Sequence, residues 1–249
     1  MKVFVKSTSE EMGAAAARAI SQKLQVAIAQ KGEARLVLST GFSQFDTLKA
    51  LVKEPVDWSK VTAFHLDEYV GLPITHKASF RKYLKERFAD LVPLKEMVYV
   101  TTEGDMTENI RKVTEHLREK EVDVGVIGIG ENAHIAFNDP PADFDTKEAY
   151  IVVDLAESCK KQQVGEGWFA TEQDVPAQAV SMTAYQIMCC KSIVSPVPHK
   201  EKAVAVHSVL SAQKPDNNVP ATLLKEHPDF QLFLDEDSAS LCSAEELNQ

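Results

Sequence analysis

Short apolar runs rich in β-branched residues alternate with helix-patterned stretches along almost the whole chain, and this alternation admits few folds. The runs fall at residues 35–39, 61–66, 97–100, 122–128, 150–153, 191–197 and 230–234. Several are apolar at nearly every position, as in Val122-Asp123-Val124-Gly125-Val126-Ile127-Gly128. Such strands need cover on both faces, and the intervening helices supply it. Helical patterns occupy residues 12–29, 43–53, 79–91, 107–120 and 200–211, the first preceded by Ser7 and Glu10 at capping-box spacing. Residues 1–5 read as a strand, too short in apolar character for a signal peptide. With no internal repeat or linker, the expectation is α/β: one domain over residues 1–249, with a doubly wound, mostly parallel sheet flanked by helices.

The charge balance narrows the partners. Twenty-seven Lys and Arg stand against 37 Asp and Glu, a net charge of −10 over 249 residues. A nucleic-acid binder needs a basic face to displace counterions, so nucleic acid is not expected. No apolar run approaches the roughly 18 residues of a membrane span. Cys159, Cys189, Cys190 and Cys242 form no C-x-x-C pair and no zinc spacing, the pattern of a reduced, cytoplasmic protein.

In a doubly wound sheet, ligands bind beyond the carboxyl ends of the strands. Three stretches sit there. Ser39-Thr40-Gly41-Phe42-Ser43-Gln44 joins a strand to a helix; its backbone N–H groups can hold a phosphate, or the segment is an ordinary turn capped by Ser43. Asp67-Glu68 sets two carboxylates at a strand exit, where one can face the cleft as a base while the other caps or pairs. Both can equally be solvated loop acids.

Residues 128–140, G-I-G-E-N-A-H-I-A-F-N-D-P, admit two readings. Gly128, Gly130 and Ala133 fit a dinucleotide fingerprint, with Asp154 as a ribose acid. That fingerprint needs a long helix after the glycines, and Asp139-Pro140-Pro141 breaks the chain too soon. The other reading is a loop that presents Asn132, His134 and Asp139 together for proton transfer.

Together these stretches resemble the glucosamine-6-phosphate deaminase/isomerase family, which shares its fold with the 6-phosphogluconolactonases. L-D-E-Y-V-G-L at 66–72 and the 128–140 segment carry most of the likeness. Ser79-Phe80-Arg81, Val175-Pro176, Ala179-Val180-Ser181-Met182-Thr183 and Lys202-Ala203-Val204-Ala205-Val206 support it. The resemblance implies that an amino-sugar 6-phosphate opens its ring, isomerises through an enediol-type intermediate and releases ammonia to give fructose 6-phosphate. It assigns Asp67 as the base between C2 and C1, and His134 to ring opening with Asp139 beside it. It puts the phosphate on Gly41, Phe42, Ser43 and Lys202. Neither metal nor organic cofactor is required. A small sugar phosphate is the expected partner, and homo-oligomers are frequent in the family; the short stretch after the last strand leaves little extension for allosteric control.

Three departures stand out. Asn132 replaces the family's aspartate, with Ala133 in place of the following glycine, so this position offers no charge to a protonated imidazole. Asp139 replaces a glutamate. Where the family often offers an arginine to the phosphate, residues 160–169 have none, leaving Lys160 or Lys161 to substitute. Glu68 completes the accessory set. The alternatives are a lactonase-type hydrolase, disfavoured by Asp67-Glu68-Tyr69, and a non-catalytic sugar-phosphate sensor, which usually accompanies a DNA-binding segment not seen here.

Overall fold

The computed structural model describes residues 1–248. β1 (Lys2–Lys6) leads into α1 (Ser9–Lys31). Thr8 rather than Ser7 caps α1, accepting the Glu11 amide at 3.2 Å, and Gly32 closes it in the left-handed region at φ 81°. Next come β2 (Ala34–Leu38), α2 (Phe45–Leu51), β3 (Val61–His65) and β4 (Asp67–Tyr69). They are followed by α3 (Phe80–Leu84), β5 (Glu96–Met97), α4 (Met106–Arg118) and β6 (Val124–Val126). The remainder contributes β7 (Tyr150–Asp154), α5 (Glu157–Gly165), β8 (Gln178–Met182) and α6 (Ala184–Met188). It ends with β9 (Ile193–Val197), α7 (Ala203–Ser211), β10 (Phe230–Asp235) and α8 (Ala244–Leu247).

Seven strands form one sheet in the order β1-β10-β9-β6-β2-β3-β5, every pairing parallel. β2, β3 and β9 are buried at every position, as expected of strands covered on both faces. Successive residues divide between two cores, as the two-residue period of a strand requires. Leu36, Leu38 and Ala63 pack with Met12, Ile20 and Leu24 of α1, while Val37 and Phe64 pack with Val206, Val209 and Leu210 of α7.

Residues 150–153 are a strand, but not of this sheet. β7 pairs antiparallel with β8, and β8 with β4, in a separate three-stranded sheet. The burial of β7 alternates along its length, since only one face is covered. β8, at Gln178–Met182, is a strand that the local pattern of residues 178–182 does not announce. Other differences are local: α2 and α7 each begin as a 3-10 turn, at Phe42–Gln44 and Lys200–Lys202, and α3 runs on into a π-helical turn at Lys85–Ala89. Among the described residues no helix is long and apolar enough to cross a membrane.

The small sheet joins the two halves of the site. Asp67 pairs with Ser181, whose hydroxyl accepts the Phe137 amide at 3.0 Å. The Asn138 side chain donates to the Met182 carbonyl at 2.8 Å and to the Ile135 carbonyl at 2.7 Å. The strand bearing Asp67 and the loop bearing His134 are therefore fixed to the same support.

Candidate active site

A cavity of about 990 Å³ opens above the carboxyl ends of the strands. The segments after β2, β3, β6 and β9 all enter it, and the end of α5 with Trp168 closes another side. Asp67, Asn132, His134, Gly41, Phe42, Ser43, Lys202 and Lys161 line this one space. Asp139, Glu68 and Lys160 do not, and each has a physical reason.

Asp67 is buried, and its carboxyl is pushed up to about 8, first by loss of water and then by the neighbouring Glu68 charge. Its backbone is held by His65, whose Nδ1–H donates to the Asp67 carbonyl at 2.8 Å while Nε2 accepts the Val100 amide at 2.8 Å. Full burial pushes the His65 ring down to about 3, so it stays neutral in this tautomer.

Glu68 points the other way, into the protein. One oxygen accepts the Tyr69 and Phe80 amides; the other accepts the Ser79 hydroxyl, the Arg81 amide and the Arg81 Nε–H at 3.1 Å. Arg81 in turn reaches both oxygens of Glu103 and the Leu72 carbonyl. Glu68 thus clamps β4 to the first turn of α3. It touches the chemistry only through its charge on Asp67.

The 128–140 loop is built around the His134 ring. A Cβ placed on Gly130 would lie 2.1 Å from the ring's Cε1, so only glycine fits there. Ala133 takes the left-handed conformation at φ 63°, where the family's glycine would be unstrained. The Asn132 carbonyl oxygen accepts from His134 Nδ1 at 2.6 Å and from the His134 amide at 3.2 Å, while its NH₂ donates to Asp139 Oδ1 at 2.9 Å. Asp139 Oδ1 itself lies 3.3 Å from His134 Nδ1. Asp139 therefore stands behind the histidine, one layer back from the cavity wall. Burial raises its carboxyl, but hydrogen bonds from His134 and Asn132 outweigh that and hold it below the usual range, so it is anionic at neutral pH. The charge that Asn132 lacks comes from Asp139. With Nδ1–H committed to this pair, Nε2 is the ring nitrogen left for ligand.

Two further parts of the cavity lining suit an anion. Gly41 turns the chain at φ 101° with its carbonyl fixed by the Tyr83 hydroxyl at 2.8 Å, and the 3-10 turn that follows exposes backbone N–H groups. Lys202 is buried and, among the described residues, no hydrogen bond or ion pair holds its ammonium. Burial lowers its proton affinity against the opposing pull of Glu131, Glu166 and Glu201. A buried cation without a partner is costly, and an anionic ligand removes that cost.

Lys161 lines the cavity, whereas Lys160 bonds Glu157 at 2.8 Å on the outer face of α5. Adjacent helical residues point about 100° apart, so one of the two had to face out.

His199 was missed in the sequence, although it follows β9 and the strand-exit rule reaches it. It lines the cavity at φ 79°, its backbone N–H donating to both Asp235 carboxylate oxygens at 3.0 and 3.1 Å. Trp168 was also unassigned; it packs on Phe42 with ring centroids 5.2 Å apart.

Residues 7–233 match the family model described as glucosamine-6-phosphate isomerases/6-phosphogluconolactonase. The chain is 34% identical over 241 residues to a glucosamine-6-phosphate deaminase of Streptococcus uberis, covering 96% of this chain and 99% of that one. It is 32% identical over 245 residues to a Bacillus cereus glucosamine-6-phosphate deaminase, covering 98% and 90%. Among solved structures, a monomeric glucosamine-6-phosphate deaminase superposes with a TM-score of 0.88 at 28% identity, over 97% of this chain and 100% of that one. A 6-phosphogluconolactonase of Trypanosoma brucei, 17% identical with a TM-score of 0.79 over 97% and 98%, shares the fold. The chain belongs to the glucosamine-6-phosphate isomerase/6-phosphogluconolactonase family.

Proposed function

We propose that this protein is an amino-sugar 6-phosphate deaminase/isomerase that converts glucosamine 6-phosphate, or a close epimer, and water to fructose 6-phosphate and ammonia. The observation that carries the reading is the shared cavity: a buried carboxyl group and an oriented imidazole line it together with a backbone turn and a buried ammonium that, among the described residues, makes no hydrogen bond or ion pair. That combination of functions in one cavity suits a sugar that carries both an acidic carbon and a phosphate.

The steps follow from the groups present. The phosphate docks on the 41–43 turn and Lys202, with Lys161 as a further point charge. His134 Nε2 exchanges the proton between the ring oxygen and the C1 hydroxyl, and the ring opens. Asp139, through Asn132 and Nδ1, keeps the imidazole in the required tautomer and steadies it when protonated. Ionised Asp67 takes the C2 proton, giving an enolamine of the enediol type, and returns it to C1. The resulting C2 imine adds water and expels ammonia, leaving the ketose. Loss of bulk water around Asp67 makes it a stronger base than an exposed carboxylate, as proton abstraction next to a carbonyl demands.

The test is a substrate panel with purified protein: glucosamine 6-phosphate, galactosamine 6-phosphate and 6-phosphogluconolactone, with ammonia, ketose phosphate and acid release measured separately. Equal ammonia and ketose phosphate from an amino-sugar phosphate is the expected result. Acid release from the lactone alone would assign the lactonase reaction, and no turnover of any member would leave only binding. Cytoplasmic location belongs to the same proposal: the four cysteines are unpaired and two are buried, which suits a reducing compartment.

A further inference from the structure

α7 packs against α8, and three side chains of different chemistry meet at their contact. His207 comes from α7, Glu246 from α8, and Cys242 from the turn just before α8. One ligand atom of each lies within 4.8 Å of the other two, and His207 Nδ1 is 3.3 Å from Glu246 Oε1. No other three His, Cys, Asp or Glu among the described residues are grouped in this way, and none of these three lines the cavity above the sheet. We propose that His207, Cys242 and Glu246 bind one divalent transition-metal ion, zinc by the chemistry of the donors.

Geometry supports a single ion. Around tetrahedral zinc, with Zn–N and Zn–O near 2.0–2.1 Å and Zn–S near 2.3 Å, neighbouring donors lie roughly 3.3–3.8 Å apart. The His207–Glu246 pair is already at that spacing. The remaining gap closes by about 1 Å, within reach of a rotation of Cys242 and of the exposed His207 side chain. Glu246 is held for the purpose: its other oxygen accepts the Ser243 amide at 2.7 Å and hydroxyl at 3.0 Å, which leaves Oε1 turned toward His207.

Charge and softness choose the ion. A thiolate and a carboxylate carry two negative charges, equal to those of the cation, and imidazole is the neutral third ligand. On binding, the Cys242 thiol passes its proton to solvent. Thiolate with imidazole favours zinc or cobalt over magnesium or calcium, which take oxygen donors. Three protein ligands leave the fourth position to water. The ion would pin α8 to α7, the helix that starts directly after Lys202.

This site stands apart from the deaminase reading and is tested without any substrate. The full chain, stripped with a chelator and dialysed, is titrated with Zn²⁺, and separately with Co²⁺ while the thiolate-to-cobalt charge-transfer band is followed. One equivalent per chain is expected, with the band present. Cys242→Ser should abolish the band and weaken zinc about 100-fold, and His207→Gln should weaken it at least tenfold. Cys189→Ser, at the exposed cysteine, should change neither. The proposal is overturned by absence of stoichiometric binding, by a band that survives Cys242→Ser or disappears with Cys189→Ser, or by unchanged affinity in His207→Gln. If Cys242→Ser does not fold, the His207→Gln affinity decides alone, because that side chain is exposed and its loss spares the core.

Discussion

Replacing Asp67 with asparagine should remove catalysis and, at the same time, stabilise the fold in a pH-dependent way. The folded carboxyl ionises near 8, whereas an unfolded aspartate does so near 3.8. Between those values the native state holds a proton that the unfolded chain has lost. Stability from this group is therefore complete below about pH 3.8 and is lost as pH rises towards 8. The slope is about 1.4 kcal/mol per pH unit, so the parent should lose roughly 2–3 kcal/mol between pH 5 and pH 7 on account of Asp67 alone. An asparagine carries no such burden. Urea unfolding of parent and Asp67→Asn at pH 5, 6 and 7 should show the variant's advantage growing by that amount. A difference that stays flat or shrinks with pH would refute the reasoning, since burial could not then be raising the carboxyl. The kinetic counterpart is a limb of kcat/KM that climbs with pH towards a midpoint near 8, because the base must be ionised to act.

Four further outcomes follow from contacts in and behind the site. Gly130→Ala places a carbon 2.1 Å from His134 Cε1 and should lower kcat about 100-fold by displacing the ring, read by steady-state kinetics; parental turnover would mean the ring is dispensable. Glu68→Gln sets an amide against five donors and leaves Arg81 short of its buried partner, so urea unfolding should report a loss of roughly 3–5 kcal/mol. Lys202→Met should raise KM for the sugar phosphate by about 30- to 100-fold, the worth of a charge-assisted contact, with kcat less affected and thermal stability kept or improved. Ala133→Gly relieves the φ 63° conformation and should gain up to about 1 kcal/mol net of the extra freedom of the unfolded chain, visible as a higher melting temperature.

What could be read from residue order was whatever depends on local pattern. The largely apolar runs at 35–39, 61–66 and 191–197 became β2, β3 and β9 because a doubly covered strand buries every position. The stretches worth inspecting lay at their exits. Decisions made by distant contacts were not legible. Asp67 and Glu68 alternate across a strand, so one had to face the cleft, but only Ser79 and Arg81 settle which. Asp139 was expected beside His134 and lies there, 3.3 Å from Nδ1; that it stands behind the ring and off the cavity wall was not legible, because the chain between them turns through Ala136 in the left-handed region at φ 51° and is tied to β8 by Asn138. The small antiparallel sheet escaped notice because β4 has three residues and β8 was not read as a strand. His199 was passed over because nothing local announces a positive φ that the Asp235 carboxylate imposes.

The most direct measurement of the proposed chemistry is ammonia and fructose 6-phosphate formation from glucosamine 6-phosphate by parent and Asp67→Asn, alongside calorimetric binding of the same sugar phosphate to both. Equimolar products from the parent, no turnover by the variant and similar binding by the two are predicted. Near-parental turnover by Asp67→Asn, or loss of binding together with turnover, would contradict the assignment of Asp67 as the base that moves the proton between C2 and C1.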